Sequence, residues 1–251
     1  MQYHVHLKSG DVGEYVLLPG DPGRVPKIAA YLDEAKEVAY HREYCTWTGL
    51  LDGVKVSVTS TGIGGPSAAI AVQELARVGA HTFVRVGTCG LLQALPCDSI
   101  VVPYGVVRGG ATARAYVPEQ FPAVADPEIY QALLMGARHE GAQPVPGIVH
   151  CKDAFFLEET GILPAAKEAA EGWELWKRAR VVATEMESDT VFILSSIYGW
   201  RAGAILLGLG EMADGSHQIK PASPAALDLL MRAAIAGVRR VIANDQAQAR
   251  P

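Results

Sequence analysis

The sequence predicts an α/β fold: one domain over residues 1–251, with a central mixed, largely parallel sheet flanked by helices. Three observations predict it. Short apolar strands alternate with helical stretches along the whole chain, the pattern of a sheet covered by helices. Several strands run straight into glycine-rich turns. Hydrophobic residues make up 49% of the 251 and charged residues 20%, enough apolar surface for a substantial core and too little polarity for disorder.

The elements follow in order. "EYVLLPGD" reads as a strand ending in a Pro/Gly turn, and "VPKIAAYLDEA" as helical. In "VKVSVTSTGIGG" the residues Val54, Val56 and Val58 recur at the period of a strand. "PSAAIAVQELARVGA" is a helix, with Pro66 in its first turn and Gly79 near its end. "TFVRVGT", "SIVVPYGVVRG", "DPEIYQALLMGARHEGA", "VPGIVHC", "ARVVATEME", "SDTVFILSSIYGW" and "RAGAILLGLG" continue the alternation. The stretch from about Glu158 to Lys177 is helical and rich in Ala and Glu, and suits a mobile flap. A last helix runs from about Pro224 to Ala243. No linker, low-complexity tract or internal repeat divides the chain.

Bulk properties exclude several classes. The net charge of −5 and the lack of a Lys/Arg run give no support for nucleic acid as a partner. Apolar runs are far short of a membrane span, and the N-terminal "MQYHVHLKSGD" has no signal-peptide core. Cys45, Cys89, Cys97 and Cys151 form no CxxC pair and no zinc spacing, so they read as reduced cytoplasmic thiols, with no metal site.

Chemistry concentrates at three turns: "PGDPGR" (19–24), "TGIGGPS" (61–67) and "GTCG" (87–90). Glycine lets a backbone approach a ligand closely, and clustered N–H groups attract anions; equally, glycines simply make tight strand–helix turns. The dinucleotide fingerprint fails, because its third glycine falls at Ser67, and no P-loop GK[ST] is present. Arg24 closes the first turn, Arg85 precedes the third, and Arg42 lies in "HREY". Guanidinium forks match phosphate, so three arginines beside glycine turns suggest a phosphate-sized anion site, with Thr88 adding a hydroxyl. An arginine amid Phe83, Val84 and Val86 needs a partner, either that anion or an internal Asp or Glu. "ATEMESDT" places Glu185 and Glu187 where a strand meets a helix. They either cap the helix or accept from vicinal sugar hydroxyls, with Met186 against the sugar face. A phosphate site beside a sugar site suggests attack of phosphate on a sugar carbon.

With these residues in view, "LPGDPGRVPKIA", "HREY", "STGIGGPSAAIAVQEL", "VRVGTCG", "FPAVAD" and "EMES" together resemble the nucleoside phosphorylase family, most of all the uridine phosphorylases, over nearly the whole chain. The resemblance implies a cytoplasmic homo-oligomer, usually a hexamer built as a trimer of dimers. It implies reversible conversion of nucleoside and phosphate into free base and ribose 1-phosphate, with phosphate as co-substrate and no cofactor. Gly20, Arg24, Arg85 and Thr88 match the phosphate-binding residues. Arg42 and His6 match groups donated by a neighbouring subunit, to the phosphate and to the sugar 5′-hydroxyl respectively. Met186 and Glu187 match ribose contacts, and Phe155 an aromatic residue near the base. Glu43 matches a residue associated with a monovalent cation between subunits. Arg85, Thr88 and Glu187 are the expected catalytic set. The base site departs from the family: "DAFFLEETG" puts Glu159 and Gly161 where uridine phosphorylases carry a Gln-x-Arg pair, and Gly210 falls where purine-cleaving relatives place an Asp, leaving Glu211 or Asp214 nearby. A purine nucleoside phosphorylase and a hydrolytic nucleosidase are the alternative readings.

Overall fold

Four consecutive buried apolar residues, Tyr15–Leu18, form β1, a strand that can exist only in the interior of a sheet. In the computed structural model, which describes residues 1–158, 166–213, 216–217 and 221–249, the chain continues through α1 (Val25–Ala29), β2 (Asp33–His41), β3 (Tyr44–Leu51), β4 (Val54–Thr59), α2 (Gly65–Arg77) and β5 (Thr82–Leu91). Then follow β6 (Ile100–Arg108), α3 (Ala111–Tyr116), β7 (Ala123–Val124), α4 (Pro127–His139) and β8 (Val145–Cys151). The last third holds α5 (Ala166–Arg178), β9 (Ala183–Glu185), α6 (Ser188–Tyr198), β10 (Arg201–Ala213), β11 (Ser216–His217) and α7 (Pro224–Gln248). No helix among the described residues is long and apolar enough to cross a membrane.

The sheet is mixed. Its centre, β4–β1–β5–β10, is parallel, and β3 and β2 extend it antiparallel. Beyond β10 the sheet curls: β10 pairs β6, β6 pairs β8, β8 pairs β9, and β9 returns to β5. These pairings close a ring. Side chains on β5 alternate between two apolar layers. Phe83 enters the layer built with α2 and α6, whereas Val84 and Val86 enter the layer built with α4 and α7. Arg85 therefore faces the α2/α6 side.

One expected element is shorter than its pattern. Val25, Ile28, Ala29 and Leu32 are all buried at helical spacing, yet α1 stops at Ala29 and "DEA" already belongs to β2. That strand lies at the sheet edge with mostly exposed or half-buried residues, so it carries no apolar alternation by which to be read. The final helix extends to Gln248, past the expected Ala243.

α5 packs against β8 by aromatic contacts. The His150 ring stacks on Trp176 at 5.5 Å and meets Trp173 edge-on at 5.2 Å. Burial pushes the His150 imidazole down to about 4, with the Lys152 charge pushing the same way. The folded state thus holds a neutral histidine that the unfolded chain protonates near pH 6.5. Between about pH 6.5 and pH 4 the unfolded state binds the extra proton, so stability is lost as pH falls through that window. At ~1.4 kcal/mol per pH unit the loss is about 3 kcal/mol. Melting temperatures from pH 7.5 to 4.5 should fall less steeply for His150→Gln than for the wild type; parallel curves would sink this assignment.

Candidate active site

The first two glycine turns meet because β1 and β4 run parallel and end at one level; "GTCG", expected as a third turn, instead lies within β5, which runs on to Leu91. The N–H of Thr61 donates to Pro19 O at 2.9 Å and that of Gly62 to Gly20 O at 3.1 Å, tying the first turn to the second. Within the first, Asp21 accepts from the Gly23 N–H at 2.8 Å and sets the 3-10 turn that ends on Arg24. Gly64, at φ +89°, turns its N–H toward Glu187 Oε1, 2.6 Å away. This is the left-handed region that favours glycine. The carboxyl ends of parallel strands are the usual place for a ligand crevice. Here they frame a cavity of about 630 Å³.

Arg85 is 4% exposed and its partners are internal. Nε donates to Glu185 Oε2 at 2.7 Å, and Nη2 pairs with Glu187 Oε2. Of the two readings from sequence, the carboxylate partner is thus present, and it does not exhaust the guanidinium. Arg85 Nη1 and Arg24 Nη1 are both buried with no hydrogen-bond partner among the described residues, and both side chains line the cavity. Buried guanidinium donors need an acceptor. Burial pulls the Arg24 pKa down and the Arg85 charge pulls it the same way, which marks a site short of negative charge. Burial alone would lower Arg85 too, but Glu187 and Glu185 outweigh it and hold it raised.

The two glutamates divide their work. Glu185 accepts from the backbone N–H of Glu187 at 3.0 Å and of Ser188 at 2.9 Å, so it satisfies the start of α6 and holds Arg85 at once. Capping, expected of either carboxylate, belongs to Glu185 alone; Glu187 makes no capping bond. Burial pushes Glu187 above the usual carboxylate range, with Arg85 and the Gly64 amide acting against it. Gly87 has a role distinct from ligand approach. A Cβ there would sit 2.7 Å from Arg85 Nη2, so the glycine makes room for the guanidinium.

Gly20, Arg24, Arg85, Thr88, Met186, Glu187 and Phe155 all line the cavity. Arg42 and His6 do not: Arg42 is exposed on the β2–β3 turn, 6.0 Å from the Tyr3 ring, and His6 stacks on His41 at 3.6 Å. Glu43, next to Arg42, turns inward to the cavity wall, where it accepts from Ser67 Oγ at 2.8 Å. Glu159, Gly161, Asp214 and the Glu211 side chain lie outside the described residues; Gly210 lines the cavity. Sequence reasoning missed Ser67, Thr184, Glu185 as the Arg85 holder, and Lys152. Lys152 follows β8, is 5% exposed and lines the cavity. Its Nζ lies 5.3 Å from the Phe155 ring centroid and 5.4 Å from that of Trp173. Burial lowers its ammonium to about 8, with Cys151 and Glu185 pulling back.

Residues 14–242 match the model of the phosphorylase superfamily. The chain belongs to that superfamily. It is 39% identical over 246 residues to a uridine phosphorylase of Treponema pallidum, covering 97% of this chain and 95% of that protein. Similarity to a uridine phosphorylase of Thermococcus kodakarensis is 46% over 212 residues, 82% of this chain and 76% of that one. A guanosine phosphorylase of Halorubrum lacusprofundi is 40% identical over 221 residues, 86% of each. With relatives of this identity over nearly its whole length, the chain is a pentosyltransferase of the nucleoside phosphorylase type, which uses phosphate as co-substrate.

Proposed function

We propose that this chain, as one folded unit over residues 1–251, cleaves uridine and related nucleosides by phosphorolysis. Its products are the free base and ribose 1-phosphate. The observation that carries the reading is the pair of buried guanidinium nitrogens with no hydrogen-bond partner among the described residues, Arg24 Nη1 and Arg85 Nη1, on two residues that line one cavity. In this reading they hold phosphate together with Gly20 and Thr88, while Glu187 and Met186 hold ribose and Phe155 packs on the base. Several fixed donors orient the phosphate beneath the anomeric carbon, so positioning and electrostatics supply most of the rate. Hydrolysis has no use for two such guanidinium groups.

These roles extend to a neighbour. Arg42 and His6 sit on the outer side of the turn whose next residue, Glu43, faces the cavity. That placement supports a homo-oligomer, a hexamer on the family pattern, in which each copy lends Arg42 and His6 to the next; a cytoplasmic location belongs to the same proposal. A monovalent cation at Glu43 belongs to the same proposal. Glu43 gives one carboxylate, already accepting from Ser67, so such a site needs donors from a second copy. Uridine is preferred as substrate because the relatives are named chiefly for it, and the guanosine phosphorylase extends the range to another base with a ring carbonyl. Incubating the protein with uridine, thymidine, inosine, guanosine, adenosine and cytidine should release base only when inorganic phosphate is present; release that ignores phosphate would move the chain to the hydrolases.

A further inference from the structure

Two side chains that do not line their own cavity are held in costly backbone conformations. His6 has φ +53° and Arg42 φ +55°, in the left-handed region that a residue with a Cβ enters at a cost. Arg42 opens the two-residue turn between His41 and Tyr44, a place where glycine or asparagine is the usual choice. Both side chains are exposed. Strain kept at exposed positions points to a use outside the chain that carries it. In the reading above, that use is in the cavity of a neighbouring copy.

The placement of both residues traces to one carboxylate. Glu74 lies on α2, where it is the charged member among the helix's buried residues, and it is 6% exposed. A carboxylate is kept there only with donors around it. Its Oε2 accepts from the N–H groups of His4 and Val5, both at 2.9 Å, and its Oε1 meets His4 Nδ1 at 2.7 Å. Burial alone would push the Glu74 carboxyl up, but the Val5 and His4 hydrogen bonds outweigh it and hold it below the usual range. Residues 1–7 are thus folded onto α2. The Gln2 N–H closes the segment onto Leu7 O at 2.7 Å, and Val5 and Leu7 are buried. His41 Nδ1 then donates to His4 O at 2.8 Å, and the His41 ring stacks on His6 at 3.6 Å. Arg42 is the next residue, its guanidinium 6.0 Å from the Tyr3 ring. The contacts run without a break from Glu74 to His4 and Val5, from His4 to His41, and from His41 to His6 and Arg42.

We infer that Glu74 is a positioning residue for the neighbouring copy's active site: by clamping residues 4 and 5 to α2 it holds His6, and through His41 also Arg42, in the poses that the next cavity needs. Glu74 touches no substrate. Its loss leaves the cavity of its own chain intact and spoils the one next door. The helix that carries it starts beside Gly64, whose N–H donates to Glu187, so α2 serves its own site at one end and its neighbour's at the other. A mere anchor for the N-terminus would change stability and leave substrate preference alone.

The inference rests on the reading in which Arg42 and His6 reach a neighbour, and the test separates the two. Glu74→Leu keeps the bulk and removes the acceptors. Its kcat/KM for uridine should fall about 10–100-fold, the usual effect of a misplaced positioning group. The phosphate needed for half-saturation should rise through Arg42, and the preference for uridine over 5′-deoxyuridine should shrink through His6. Glu74→Gln, whose carbonyl oxygen still accepts from both N–H groups, should recover most of the loss. Glu74→Asp, with the carboxylate withdrawn by one methylene, gives the same readings at smaller amplitude and serves if Glu74→Leu does not fold. The sharpest experiment co-expresses two crippled chains in equal amounts. Arg24→Ala has a disabled cavity and intact residues 1–7; Glu74→Leu has the reverse. About a quarter of the sites in the mixed oligomer, those joining a Glu74→Leu cavity to an Arg24→Ala neighbour, should regain activity. Full activity of Glu74→Leu alone, an unchanged uridine-to-5′-deoxyuridine ratio, or no recovery in the mixture would overturn the inference. Arg42→Ala mixed with Arg24→Ala is the control. Recovery there but not with Glu74→Leu removes Glu74 from the shared site and leaves the sharing intact; no recovery in either mixture sinks both.

Discussion

Arg85→Ala should lower kcat/KM by about 10²–10³-fold and raise the phosphate concentration needed for half-saturation. The reason is geometric. Arg85 spends Nε on Glu185 and Nη2 on Glu187, and Nη1 has no partner among the described residues, so the two carboxylates fix the guanidinium and leave one nitrogen for an anion. Truncation removes the anion's donor and leaves Glu185 and Glu187, each 4% exposed, without the guanidinium that bridges them. A broken buried pair costs about 3–5 kcal/mol, and melting temperature should fall with activity. Arg85→Lys separates the effects: it restores a charge between the glutamates but not the fork, so stability should recover further than phosphate affinity. An unchanged phosphate dependence in Arg85→Ala would refute the placement of phosphate at the arginine end.

Glu187→Gln should be nearly as damaging for ribonucleosides, about 100-fold in kcat/KM, given the worth of hydrogen bonds to a charged group. Oε1 accepts from the Gly64 N–H and Oε2 from Arg85. An amide has one acceptor oxygen, so its NH₂ must face one of these donors. That misfit would disturb the site whatever the substrate. The ribose assignment predicts something narrower. Against a 2′,3′-dideoxynucleoside, which offers no vicinal hydroxyls, the variant should lose much less than against the ribonucleoside. If both substrates suffer equally, Glu187 only positions Arg85 and Gly64, and the sugar hydroxyls are held elsewhere.

Most of the architecture was legible because its strands are buried on both faces or alternate cleanly. β1, β4, β5, β6, β8 and β10 announce themselves as apolar runs, and the helix after Gly64 carries its proline in the first turn. β2 was not legible, since an edge strand with polar residues on both faces has no period to detect. In the site, the residue types pointed to the right stretches. Arginine amid a strand's apolar residues demanded a partner, and "EMES" held both candidates. Sequence spacing left open which glutamate caps the helix and which faces the cavity, because that depends on how α6 leaves β9. Gly87 looked like a turn glycine; its purpose depends on where the Arg85 side chain lies two positions earlier. Lys152 carried no signal at all. A lysine beside an aspartate after a strand reads as a solvated charge, and only the aromatic cover from α5 turns it into a buried one.

The central claim is that phosphate, held by Arg24 and Arg85, is the attacking group. Phosphorus NMR of uridine incubated with the protein and inorganic phosphate tests it most directly. A ribose 1-phosphate signal should grow in step with free uracil, and the reverse reaction should consume it. Uracil appearing with free ribose and an unchanged phosphate signal would contradict the claim.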